Sequence, residues 1–338
     1  MKRHFIIYFI FIFCTSLSAL AQSDGKSSAL NIYIENDSKN MGGPGSDNAY
    51  SSGLKISYIT SEYTNHAWMK KYFEDIYLLP NIKKVGITNY GLSLGSQIYT
   101  PNDTSYTGVI DGDRPYAGWL YLGFSVLFQE ELRVHTYELN VGVVGPSSYG
   151  EEIQNSFHKA IDVPEAKGWD NQLSDELAVQ ISYQQRQRLF GERINKDRNV
   201  DLIGLFGGSL GNVYINTHAG LMARFGYIRR DDFGPARPSM TNGDNFISPI
   251  SKDNLSSNFY LFAAGQAILV GRNIFLDGNT FSKSQYVTKI PLVIETELGA
   301  AANIKNWNLS WRFVTRGPEF KERSNVNSFA SISVGYSY

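Results

Sequence analysis

The chain has 338 residues, with 31 Lys and Arg against 32 Asp and Glu, a formal net charge of -1. That balance excludes the basic stripe of a nucleic-acid-binding protein, and 42% hydrophobic against 19% charged residues excludes a disordered chain. Aromatics reach 14%, with 21 Tyr and 20 Phe beside 31 Gly. This suits a sheet whose two faces meet different solvents, and it does not suit a helical membrane bundle.

Lys2 and Arg3 open the chain, an apolar run from Phe5 to Cys14 follows, and Ala19-Leu20-Ala21 precedes Gln22. A basic start, a short apolar stretch and an A-x-A site predict a secretory signal peptide over 1–21, cleaved after Ala21. The apolar run is about half the ~20 residues that a spanning helix needs. Cys14 is the one cysteine and lies in this leader, so residues 22–338 hold no disulfide, thiol nucleophile or Cys-based zinc site.

Segments alternating apolar and polar residues then recur to the last residue. Leu30, Ile32 and Ile34 share one face, as do Leu54, Ile56 and Tyr58; Leu120 to Phe128 and His135 to Val143 repeat the pattern. So do Leu177 to Tyr183, Val213 to Leu221, Trp307 to Phe313 and Ala330 to Tyr338. With segments near 86–98, 198–209, 256–270 and 286–300, about twelve strands are predicted. Long strands with one apolar face and one small, polar face are what a transmembrane antiparallel β-barrel requires. Only closed barrels and helices satisfy every backbone polar group inside a bilayer. The fold class is therefore all-β, and 22–338 forms a single barrel domain. Trp119, Tyr121, Trp307, Trp311, Tyr336 and Tyr338 are expected to form its interfacial aromatic girdles. The terminal aromatic on the last strand resembles the sorting signal of bacterial outer-membrane proteins.

One segment breaks the strand rhythm. Between Gly150 and Ile161, apolar residues at 153, 157, 160 and 161 follow helical spacing. Gln154 and His158, four apart, project from one side of this short helix.

Four histidines follow the leader: His66, His135, His158 and His218. His135 and His218 sit within strand patterns and His66 in a polar loop, whereas His158 lies on the off-rhythm helix, flanked by polar residues. An unperturbed imidazole pKa of about 6.5 makes it the natural general base. Two oxygen-rich stretches offer the donors that calcium prefers. One runs from Glu35-Asn36-Asp37 through Gly42–Asn48, and the other contains Asp111-Gly112-Asp113-Arg114. Gly91-Leu92-Ser93-Leu94-Gly95 matches the G-x-S-x-G nucleophile elbow, but that motif needs a sharp strand-to-helix turn and here lies inside an alternating strand.

Several pieces carry a resemblance. Asn36-Asp37 ends the first strand, Tyr50-Ser51-Ser52-Gly53 opens the second, and Gln97-Ile98-Tyr99-Thr100-Pro101 follows. Then come Gly112-Asp113-Arg114-Pro115-Tyr116-Ala117-Gly118-Trp119, Val144-Gly145-Pro146, Gly150–Asn155 leading to His158, and Gly168–Gln172. In this order they resemble the lipid A 3'-O-deacylase family, LpxR-like outer-membrane esterases.

The resemblance implies a twelve-stranded outer-membrane barrel that hydrolyses the ester holding the 3'-linked acyloxyacyl chain on the lipid A of lipopolysaccharide. The reaction it implies is calcium-dependent, with His158 activating water. Asn36 and Asp37 would belong to the calcium-bearing site, Asp37 as metal ligand, and Ser51 would stand where the family usually has Thr. Gln154, Asp113, Arg114 and Glu165 would support the site. The implied partners are lipopolysaccharide and outer-membrane lipids, with no nucleic acid. Two departures stand out: no Lys occurs in 102–107, where the family has one, and Pro164 falls at the family's glutamate, with Glu165 next. A phospholipase-like esterase on the same scaffold and a non-catalytic barrel or porin are the alternatives. A substrate panel and a conductance measurement separate them.

Overall fold

The computed structural model describes residues 28–37, 49–60, 87–193, 199–229, 231–236, 257–322 and 326–338. The predicted leader, His66 and the Gly42–Asn48 stretch lie outside the described residues. Twelve strands form one closed antiparallel sheet, each paired with its sequence neighbours and the first with the last. They are β1 (Ala29–Asn36), β2 (Ala49–Ile59), β3 (Ile87–Thr100), β4 (Ala117–Gln129), β5 (Arg133–Val144) and β6 (Glu176–Arg193). After them come β7 (Asn199–Gly211), β8 (Tyr214–Tyr227), β9 (Asn258–Asn273), β10 (Leu292–Ile304), β11 (Trp307–Arg316) and β12 (Asn327–Ser337). The off-rhythm segment is helix α1 (Gly150–Ala160), and a single helical turn, α2 (Ile274–Asp277), follows β9.

Closure removes every sheet edge, so the backbone is satisfied without water along its whole circumference. Ala29 lies opposite Ser337 and Asn36 opposite Ala330, completing the seam. Because side chains alternate, one set faces out and one faces the lumen. The outward set is apolar and exposed, including Ile32, Ile34, Leu122, Phe124, Leu139, Val141, Leu261, Leu269 and Leu298. The inward set is polar and buried, including Asn31, Lys55, Ser57, Ser93, Glu138, Asn140, Gln184, His218, Ser310 and Ser333. This inverts the arrangement of a water-soluble protein and matches a barrel in lipid. Ser93 of the G-x-S-x-G stretch is one of the lumen residues, in the middle of β3.

The lumen is filled at both ends. At the end that carries α1, Phe275 of α2 stacks on Tyr99 with ring centroids 3.9 Å apart, and the Tyr99 and Tyr214 hydroxyls are 2.6 Å apart. Trp119 and Tyr121 belong to this stopper: both are buried, with ring centroids 4.3 Å apart. Their expected place in an interfacial girdle is therefore corrected. Leu122 and Phe124 take the outward positions of β4, so 119 and 121 must point inward. Trp307, Trp311, Tyr336 and Tyr338 are exposed on the outer surface, as expected.

At the opposite end, where Ser28 and Tyr338 pair, the segment 231–236 enters the lumen. Arg186 donates to the carbonyls of Phe233, Gly234 and Pro235, and Arg312 to those of Pro235 and Ala236. Arg224 holds Asp232 by an ion pair of 2.7 Å. Burial pushes the Asp232 carboxyl up, but Arg224, the Gly234 backbone N–H and Arg229 outweigh this and hold it below the usual carboxylate range. Between the two stoppers, Lys55 and Glu138 form a fully buried ion pair at 2.8 Å.

Candidate active site on the outer wall

The side-chain register places the site outside the barrel. Asn36 continues the outward positions of Ile32 and Ile34. Ser51 is the extra residue of a β-bulge: Tyr50 stands opposite Tyr99 and Ser52 opposite Ile98, with the register shifting between them. Bulges re-aim side chains, and the Ser51 hydroxyl meets that of Thr100, while Asn36 Nδ2 donates to the Ser51 carbonyl at 3.1 Å. Tyr50 points the other way, into the lumen, where its hydroxyl donates to Glu35 at 2.8 Å. Asn36, Asp37, Ser51, Thr100 and Ile98 are all buried although the lipid-facing strand positions elsewhere are exposed. Something covers the wall here.

Over β3 and β4 the helix end supplies part of that cover, with Ile153, Ala166 and Trp169 packed around Ile98. Gly118 on β4 and Gly150 at the start of α1 approach so closely that a Cβ built on Gly118 would lie 3.0 Å from Gly150 Cα. Two glycines are needed at this crossing because either side chain would push the helix off the wall. The buried face of α1 is Gly150, Gln154 and His158, one stripe at four-residue spacing, while Phe157 is 42% exposed. Burial driven by the hydrophobic effect alone would do the reverse. A helix that turns Gln and His inward and Phe outward is shaped for chemistry at its buried side.

The chain returning from α1 fixes these side chains. Asn155 pairs with Ala166 in both directions, its Nδ2 donating to the carbonyl at 3.2 Å and its Oδ1 accepting from the N–H at 2.8 Å. Trp169 Nε1 donates to Gln154 Oε1 at 3.0 Å, and its ring packs on Tyr116 with Ile98, Ala166 and Ile153 around it. His158 Nδ1 lies 2.7 Å from the Pro164 carbonyl oxygen. A carbonyl can only accept, so Nδ1 carries a proton, and in the neutral imidazole this leaves the lone pair on Nε2. At the helix start, burial raises the Glu151 carboxyl above its ordinary value, helped by the negative charges of Glu152, Asp170 and Glu165.

The structure thus brings Asn36 and Ser51 together at one end of the outer wall, with buried Asp37 next in the chain, and lays the Gln154–His158 face of α1 over the neighbouring strands β3 and β4. Beside Asn36 the donors are oxygens, the Ser51 carbonyl and the Ser51 and Thr100 hydroxyls, and the next residue, Asp37, carries a buried carboxylate. Hard divalent cations take such oxygens. Among the described residues, no group of three or more His, Cys, Asp or Glu is placed to hold a metal ion. A cation here would draw, among the described residues, on backbone and hydroxyl oxygens beside the Asp37 carboxylate.

The other sequence-predicted residues go elsewhere. Asp113 is spent on structure, accepting from the N–H groups of Asn102 at 2.7 Å and Arg114 at 2.8 Å. Arg114 faces the lumen stopper, over the Tyr99 ring and paired with Glu319 at 2.8 Å. Glu165 is exposed. Sequence reasoning missed the Pro164 carbonyl and the Gly118–Gly150 crossing; a backbone acceptor leaves no residue-type signal.

A closed, twelve-stranded barrel with an apolar outer surface and a filled lumen is an outer-membrane protein, and its candidate site lies on the wall rather than in a channel. The profile of the family described as "Outer membrane protein LpxR" matches residues 6–338, and the chain belongs to that family. The solved structure of "LpxR from Salmonella typhimurium" is similar to it at a TM-score of 0.73 and 17% identity, covering 91% of this chain and 99% of that one. That likeness shows a shared fold. The β domain of the Bordetella autotransporter BrkA superposes with a TM-score of 0.43 at 13% identity, covering 93% of this chain and 99% of that one. No curated protein sequence matches significantly.

Proposed function

We propose that this protein is an outer-membrane esterase that removes the 3'-linked acyloxyacyl chain from lipid A, with His158 as the base that activates water. The observation that carries the reading is the buried, tautomer-fixed His158 on the inward polar face of a helix laid against the lipid-facing wall. A site in that position is open to a substrate that resides in the outer leaflet. Family membership and the barrel's apolar surface support the same location, and the filled lumen favours a hydrolase over a pore.

In the reaction, the water oxygen bonds to the ester carbonyl carbon while Nε2 of His158 takes its proton. The tetrahedral species then collapses, the bond from carbon to the sugar oxygen breaks, and that oxygen receives the proton from Nε2. The Pro164 carbonyl stabilises the transient imidazolium through Nδ1–H, the role that a carboxylate fills in many histidine bases. The strand-end oxygens of Asp37, Asn36, Ser51 and Thr100 suit calcium, with Asp37 supplying the carboxylate. When bound there, calcium would act as a Lewis acid toward the ester carbonyl.

The test is to incubate purified, detergent-solubilised protein with lipid A and separately with glycerophospholipid, each with calcium and with EDTA, and to read products by mass spectrometry. Calcium-dependent loss of an acyloxyacyl unit from lipid A is expected. Release of fatty acid from glycerophospholipid instead supports the phospholipase-like reading. Unchanged lipids in every arm contradict both.

A further inference from the structure

Gln154 shares the buried face of α1 with His158 and lies one turn before it, 4% exposed. Its amide has two ends of opposite character, and in most proteins which end points where is a choice. Here chemistry decides. An indole N–H only donates, so Trp169 Nε1 must bond the Gln154 oxygen, as it does at 3.0 Å. The amide nitrogen is thereby turned the other way, and it is buried with no hydrogen-bond acceptor. A buried NH2 group left unsatisfied is costly, so a residue kept in this state points to an acceptor that arrives from outside the protein.

We propose that Gln154 is a second catalytic residue, whose Nε2–H donates to the carbonyl oxygen of the ester that the His158-activated water attacks. The inference rests on the esterase reading. As the water oxygen bonds to the carbonyl carbon, the carbonyl π pair moves onto its oxygen, and a pre-aimed N–H stabilises that charge without reorganising. Positions four apart place the base and the donor one helical turn from each other on one face, so one ester group can engage both. Trp169 is then a positioning residue, locking the amide with its nitrogen toward the substrate.

A purely structural role, in which Gln154 only anchors Trp169, makes a different prediction, and Gln154→Glu separates the two. Glu keeps the oxygen that accepts from Trp169 and removes the donor. The expected result is a fall in kcat of about 100-fold, the usual effect of losing one oxyanion donor, with KM changed by less than about threefold. Tryptophan fluorescence and the heat-modifiable migration of the folded barrel should stay as in the parent protein. Gln154→Met, of similar volume, serves if the Glu variant does not fold, with the same expectation for kcat. Trp169→Phe frees the amide to turn and should lower kcat without altering the pH profile set by His158. A folded Gln154→Glu protein whose kcat stays within about threefold, or one in which only KM rises, overturns the donor while leaving the esterase reading in place. A parent protein that hydrolyses no ester overturns that reading and the donor with it.

Discussion

His158 donates its Nδ1–H to the carbonyl oxygen of Pro164, 2.7 Å away and six residues along the chain. A backbone acceptor fixes the ring as firmly as a side chain would, and no substitution at 164 or 165 removes it outright. Neutralising the exposed Glu165 should therefore matter little. Glu165→Gln is expected to keep kcat within about threefold of the parent protein, as surface changes usually do. A drop beyond tenfold in a steady-state lipid A assay would assign the carboxylate a direct part.

The Gly118–Gly150 crossing sets how closely α1 sits on β4. A side chain on Gly118 would run into the Ser148 hydroxyl and crowd Gly150. Gly118→Val should displace the helix while the twelve-stranded ladder stays intact. A displacement of about 1 Å can lower kcat by about 100-fold. Barrel integrity, read from heat-modifiable gel migration, should not change. Full activity in this variant would show that the helix seat is not needed.

The arginine-held segment 231–236 closes the end of the lumen opposite α1. Arg186 and Arg312 grip it through backbone carbonyls, and Arg224 grips it through the Asp232 carboxylate. The double variant Arg186→Ala, Arg312→Ala should loosen it and raise single-channel noise in planar bilayers, although the Phe275 stopper still limits current. The same hold depends on pH through Asp232. A carboxyl whose folded pKa is depressed contributes stability that is present above its unfolded value and is lost as pH falls through the folded one. The segment should stay seated at neutral pH and loosen only when pH drops below the usual carboxylate range. Proteolytic protection of the segment, followed from pH 7 to strongly acid solution, checks this, and a loss of protection already near neutral pH would contradict it.

Lys55 and Glu138 are both fully buried within the lumen, 2.8 Å apart. Removing one partner strands a charge away from water, so Lys55→Met should cost about 3–5 kcal/mol of unfolding free energy in a urea titration. Lys55→Met combined with Glu138→Gln should recover most of that loss. Equal losses in the single and double variants would show that the pair is not coupled.

The barrel was legible because a lipid-spanning strand keeps an alternating pattern: outward positions are mostly apolar, and along much of each strand the inward ones are small or polar. That constraint made all twelve strands readable, down to Ser331, Ser333 and Gly335 facing the lumen in β12. Trp119 and Tyr121 were harder, since an aromatic near a strand end suits both an interfacial girdle and a lumen stopper. Strict alternation from Leu122 and Phe124 decides between them. Helix α1 was legible from its spacing, and Gln154 with His158 from their offset of four. The long-range joins were not. Arg312 reaches Pro235 and Ala236 across more than seventy residues, and nothing in either stretch announces the other. The lumen-facing place of Arg114, paired with Glu319, likewise depends on a partner 205 residues away.

If His158 drives ester hydrolysis of lipid A at the outer wall, its removal must leave a folded barrel that no longer deacylates. The most direct test is mass spectrometry of lipid A from cells of an otherwise deacylase-free strain that produce either the parent protein or His158→Ala at equal, heat-modifiable levels. The parent protein is expected to remove the mass of one acyloxyacyl unit. The variant is expected to lose this activity by a factor of about 100 to 10,000, the range for removing a general base. Equal lipid A deacylation by the folded His158→Ala protein would contradict it.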